Sequence, residues 1–88
     1  MVMKNSLKSL ATKSARQQKI VSSELRKQRI KVDLSQDELA RRAGIDRKTI
    51  NRIENGHFSP TLDTITRLCV VLKITPSTLF GSGRSSKK

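Results

Sequence analysis

The stretch Leu34–Phe58, LSQDELARRAGIDRKTINRIENGHF, decides how the chain folds. It reads as two short helices joined by a tight turn. Ser35 and Glu38 have the spacing of a capping box, in which the hydroxyl accepts from the Glu38 N–H and the carboxylate reaches back to the Ser35 N–H. Asp37 and Glu38 put negative charge in the first turn, where the helix dipole favours it. Leu39, Ala40 and Ala43 supply an apolar stripe. Gly44 ends the helix, because glycine takes a positive φ without steric cost. Ile45 points inward from the turn, Asp46 is a good N-cap for the second helix, and Asn55-Gly56 is a good stop for it.

The second helix divides cleanly by angle. Residues step by about 100°, so with Arg47 at zero, Lys48, Asn51 and Arg52 lie within about 140° of it. Ile50 and Ile53 fall opposite, at roughly 300° and 240°. One face is therefore two isoleucines and the other is Arg, Lys, Asn, Arg. A charged face of this kind is most often simply solvated. Behind a tight glycine turn and within a basic chain, it is a candidate for reading a nucleic-acid groove.

At this point the segment SQDELARRAGIDRKTINRIENGHFSPTLDTI, residues 35–65, resembles the lambda-repressor-like (Xre-type) helix-turn-helix family. Ser35, Gln36, Leu39, Ala40, Gly44, Ile45, Ile50, Ile53, Glu54, Gly56 and Pro60 match its pattern in register, and the likeness spans roughly Leu25 to Phe80. The resemblance implies an all-α, compact five-helix domain with its third helix in the major groove of double-stranded DNA. It also implies a transcriptional regulator, most often a repressor that binds a palindromic operator as a homodimer. Two other roles carry the same domain: an antitoxin that also neutralises a toxin protein, and a restriction-modification controller. Arg29 matches the family's first-helix arginine, and the family commonly pairs that position with the one held here by Glu54. Gln36 and Thr49 match positions near the DNA backbone.

Chemistry assigns the other roles. Arg47, Lys48 and Arg52 are the best base readers, because arginine and lysine donate to guanine O6 and N7. Asn51 faces the same way and could read adenine or hold a phosphate. Ser35, Asn55 and Gly56 sit at helix ends, where free N–H groups can meet phosphates. Arg29, Arg41 and Arg42 add unspecific attraction.

Outside this unit the chain adds charge and packing. Its 88 residues suit one domain with a small core, and two Phe without Trp or Tyr make that core aliphatic. The net charge of +12 is uneven. Residues 1–22 hold Lys4, Lys8, Lys13, Arg16 and Lys19 without an acid, and Gly81–Lys88 holds Arg84, Lys87 and Lys88. Such ends suit a polyanion, since each phosphate neutralised releases counterions. They offer little apolar area for a membrane surface. No run approaches the ~20 apolar residues that cross a bilayer, and Met1 to Ala15 lacks the apolar core of a secretory signal. The single cysteine excludes an intrachain disulfide and a cysteine-based metal cage, which suits a reducing cytoplasm. His57 has no ligand partners at metal spacing, and no catalytic constellation is evident, so neither an enzyme nor a cofactor is expected.

The expected layout is a basic, flexible arm over 1–18, a helix-turn-helix domain over 19–80 and a flexible basic tail over 81–88. A basic arm beside the main site, or a lengthened first helix, are the alternatives for 1–18. Lys19 to about Lys31 is the first helix, with Val21 and Leu25 on its buried side. Gln28 stands where the family has an aliphatic residue. Phe58 reads as packing. Thr61 caps a fourth helix with core residues Leu62, Ile65, Leu68, Cys69 and Leu72. Val70 and Val71 exceed one apolar stripe and, with Leu79 and Phe80, are expected at a subunit contact. Thr75-Pro76 starts a short fifth helix.

Overall fold

The computed structural model describes residues 2–81, with side chains described from residue 15 onward. The described chain is all-α: α1 Val2–Lys31, α2 Gln36–Ala43, α3 Arg47–Glu54, α4 Leu62–Leu72 and α5 Pro76–Leu79. No helix among the described residues is long and apolar enough to cross a membrane. The expected tail, apart from Gly81, lies outside the described residues.

The chain does not break at Lys19. From Val2 onward, the arm expected over 1–18 is the first part of α1, which runs 30 residues and spans roughly 45 Å. Nothing in Val2–Lys31 is Gly or Pro, so once the packed part of the helix has nucleated, no residue stops its propagation toward the N-terminus. The helix ends where Asp33 turns to φ 62° and the Leu34 N–H reaches back to the Arg29 carbonyl at 3.1 Å.

The core is aliphatic. Val21 and Leu25 of α1 meet Leu39, Ala40 and Ala43 of α2, Ile50 and Ile53 of α3, Ile65, Leu68, Cys69 and Leu72 of α4, and Leu79 of α5. Leu34, Ile45, Phe58, Val71 and Ile74 pack around it. Burial raises the Cys69 thiol above its ordinary value, so it behaves as a small apolar side chain. Leu62 is not part of this core; it is 77% exposed at the first position of α4.

The caps show how sequence sets the helix ends. The Ser35 hydroxyl accepts from the Glu38 N–H at 3.0 Å. The reciprocal half of the capping box is not used: the Glu38 carboxylate turns to Arg41 and Arg42 one turn later. These hydrogen bonds, Arg41 first, hold the Glu38 carboxyl below the usual carboxylate range. Asp46 occupies the N-cap of α3 without a side-chain cap bond. Thr61 caps α4 by accepting from the Thr64 N–H at 3.2 Å, and Pro76 opens α5.

Gly44 makes the turn between α2 and α3. At φ 67° it sends its N–H to the Ala40 and Arg41 carbonyls. Arg67 of α4 adds a bond the sequence did not suggest, from Nη1 to the Ala43 carbonyl at 3.2 Å, which places a cation at the negative end of α2. A methyl group on Gly44 would sit 3.1 Å from that Nη1, whereas one on Gly56, at φ 73°, would meet nothing within 4 Å. Both substitutions force alanine into the left-handed region, at about 1–2 kcal/mol. Gly44→Ala should therefore lower the denaturant midpoint further than Gly56→Ala, because only the first also disturbs the Arg67 bond. Equal midpoints for the two variants would show that Arg67 contributes nothing at this turn.

Candidate nucleic-acid interface

The surface of α3 is built from its buried edge outward. Ile50 and Ile53 are at most 1% exposed, and they hold the helix against α1 and α2. Arg47, Lys48, Asn51 and Arg52 are exposed, and Thr49 is half-buried. Asp46, Arg47, Lys48 and Asn51 line a shallow concavity at the start of the helix. Three of the four side chains expected to read bases therefore share one open face, and Arg52 is exposed on the next turn.

Pairing separates these cations from Arg41, Arg42 and Arg67. Arg41 and Arg42 are bound to Glu38, and Arg67 to Asp63 at 2.9 Å. Arg47, Lys48 and Arg52 enter no ion pair with a described residue. Their charge is available to a ligand, while that of Arg41 and Arg42 is partly neutralised locally.

Arg29 and Glu54 anchor the helix from behind. Nε donates to Oε2 at 2.7 Å and Nη2 to Oε1 at 2.9 Å, with side chains only 12% and 3% exposed. Arg29 Nη1 also donates to the Leu34 carbonyl at 2.9 Å. The Glu54 hydrogen bond, aided by its charge and opposed by burial, raises the Arg29 pKa above its ordinary value. Ser22 of α1 donates to the Glu54 carbonyl at 2.5 Å, so α1 holds both the side chain and the backbone of this residue. Arg29 was also expected at the DNA backbone; within the protein, its Nε, Nη1 and Nη2 each donate to Glu54 or Leu34, so it clamps the fold.

Gln36 extends the clamp outward. Its Nε2 donates to Glu54 Oε1 at 3.0 Å, and its Oε1 accepts from Asn51 Nδ2 at 3.2 Å. Asn55 Nδ2 then donates to Asn51 Oδ1 at 3.1 Å. The spacing of Asn51 and Asn55 permits their contact on one helix. The bridge through Gln36 depends on how α2 crosses α3 and was not readable from sequence, and neither was Ser22.

The remaining expected residues divide. Ser35 is exposed, but its hydroxyl is engaged by the cap. The N–H groups of Asn55, Gly56 and His57 close the end of α3 on the carbonyls of Asn51, Ile53 and Arg52, so they are not free donors. Of the expected subunit contact, Val70 is 70% and Phe80 41% exposed, Val71 packs against the core, and Leu79 is fully buried. Leu79 is thus a core residue, drawn inward because α5 lies on α1 and α4. No group of three or more His, Cys, Asp or Glu side chains that could hold a metal ion occurs among the described residues.

Comparison with known proteins bears on this arrangement. A family model described as Helix-turn-helix, HTH_3, matches residues 25–79. Among solved structures, the chain is similar to the restriction-modification controller protein C.AhdI from Aeromonas hydrophila, at 32% identity and TM-score 0.68, over 70% of this chain and 94% of that one. It is similar to the hypothetical transcription factor NHTF from Neisseria at 24% identity and TM-score 0.72, over 76% and 75% of the two chains. An HTH_3 family transcriptional regulator from Vibrio cholerae shares 23% identity at TM-score 0.75, over 83% of this chain and 41% of that one. At these lower identities the shared property is the fold. No curated protein matches the chain.

Removing one partner of a buried ion pair strands the other charge, at a cost of ~3–5 kcal/mol. Glu54→Ala should lower the melting temperature sharply in a circular-dichroism melt. A melt that coincides with the parent's would mean that the clamp does not hold α3.

Proposed function

We propose, from the premise that the chain belongs to the HTH_3 helix-turn-helix family of non-catalytic, DNA-binding transcriptional regulators, that it is a sequence-specific repressor acting as a homodimer on a palindromic operator. The observation that carries this reading is the open face of α3, where Arg47, Lys48, Asn51 and Arg52 project with no acid paired to the three cations.

Arg47, Lys48 and Arg52 donate to guanine edges, so the half-sites contain G, and Asn51 reads an adenine among them. Gln36 and Thr49, beside this face, meet the backbone. Two copies present two reading helices to successive major grooves, with half-site centres about 10–10.5 bp apart. Val70 and Phe80 are the exposed apolar residues that a second copy would cover. Repression follows from occlusion of polymerase. The protein works in the cytoplasm, on the nucleoid.

A second reading shares the same binding act. The chain resembles C.AhdI over nearly the whole of that controller, which supports a role in timing a restriction-modification pair by operator occupancy. The neighbourhood of the bound site separates the two.

The test is to retain sheared source DNA on the purified protein at about 0.15 M salt, which suppresses tail-driven binding, and to sequence what is held. One enriched palindrome with the stated spacing is expected, and uniform retention would reject the reading. On the selected site, Arg52→Ala should cost ~1–3 kcal/mol of binding and relax one base position. Equal losses on selected and random DNA would demote Arg52 to a phosphate contact.

A further inference from the structure

The clamp and the reading face are joined by a chain of polar groups with a fixed direction. An amide can present its nitrogen or its oxygen to a neighbour, and the neighbour's chemistry decides which. The Glu54 carboxylate, held by Arg29 in the interior, can only accept. Gln36 must therefore turn its Nε2 toward Glu54, at 3.0 Å, which leaves its Oε1 facing Asn51. Asn51 must then donate with Nδ2, at 3.2 Å, which leaves its Oδ1 to accept from Asn55 at 3.1 Å. Each step follows from the one before.

We infer that Glu54 is a positioning residue for base recognition: acting through Gln36, it fixes which end of the exposed Asn51 amide faces which way along the groove. This inference rests on the reading in which Asn51 meets a base. The polarity matters because each end of the Asn51 amide has one bond left after its internal partner, one N–H on Nδ2 and one lone pair on Oδ1. A donor beside an acceptor complements the N7 acceptor and N6 donor of adenine. The fixed order, donor on the Gln36 side and acceptor on the Asn55 side, selects the orientation in which that adenine is read. A freely flipping amide would accept adenine in either orientation.

Substitution can break the direction without removing the shape. Glu54→Gln replaces a group that only accepts with one that also donates, so both orientations of Gln36 and Asn51 become possible. Gln36→Leu removes the middle link and leaves the Arg29–Glu54 pair intact, which keeps the test valid where Glu54→Gln does not fold.

The experiment selects randomised duplexes with the parent protein, Asn51→Ala, Gln36→Leu, Glu54→Gln, and Asn51→Ala combined with each of the other two. Asn51→Ala identifies the base position that Asn51 reads, where the parent should discriminate by at least about fivefold. At that position, and at no other, Gln36→Leu and every folded Glu54→Gln preparation should fall below about twofold discrimination, and the combined variants should be no broader than Asn51→Ala alone. A uniform loss of affinity with the parent's preference intact at that position overturns the inference, because it leaves Glu54 and Gln36 with a purely structural role. So does an Asn51→Ala variant with unchanged preference at every position. Failure of the parent to enrich any sequence overturns the DNA-reading role itself, and with it the inference.

Discussion

Two opposite charges taken out of water oblige each other to stay together, and Arg29 and Glu54 are such a pair. Their two parallel hydrogen bonds fix distance and angle at once. Arg29 stands near the end of α1, and Glu54 is the last residue of α3. The pair therefore sets where the reading helix sits relative to the body, and Leu34 and Ser22 add bonds from either side. Hydrophobic contact alone would hold α3 through Ile50 and Ile53 but would permit small rotations about its axis. A bidentate ion pair does not.

The electrostatics of the surface follow from the same economy of acids. Only seven acidic residues face nineteen lysines and arginines. Those on helices sit mostly one turn from an arginine or lysine, as Glu38, Asp63 and Glu24 do. The exposed pairs of Glu38 and Asp63 add little stability, but they lower the field near α2 and α4. The start of α3 has no such neutralisation beyond Asp46. The unpaired cations of α3 thus stand where side chains can also discriminate.

Much of this was legible in the sequence, for identifiable reasons. The α2–turn–α3 unit rests on local rules, namely a Ser cap, a positive-φ glycine and a 3.6-residue period, and these act over a few residues. The open face of α3 follows from the same period. Features that depend on distant parts of the chain were not legible. The Arg67 bond to Ala43 spans two helices. The Gln36 bridge requires a crossing angle, and the burial of Leu79 requires knowing where α5 lands. The extent of α1 is a separate matter, because the sequence leaves 1–18 open between a flexible arm and a lengthened first helix. A polar, lysine-rich stretch without apolar periodicity resembles a flexible arm by composition, but composition does not count the absence of any residue that breaks a helix.

The division of α3 into a held edge and an unpaired edge bears on how such a protein diverges. Arg47, Lys48 and Arg52 bear on no described ion-pair partner and carry little of the packing, so replacing them changes folding free energy by a few tenths of a kcal/mol, on the order typical of surface sites. Target preference can drift at these three positions while the fold stands still. Asn51 is different, because its neighbours lead back to the interior. A change there is felt by Gln36 and Asn55, and compensating changes must come with it. The helix thus offers three positions where new targets can be explored singly and one where they can be reached only in concert.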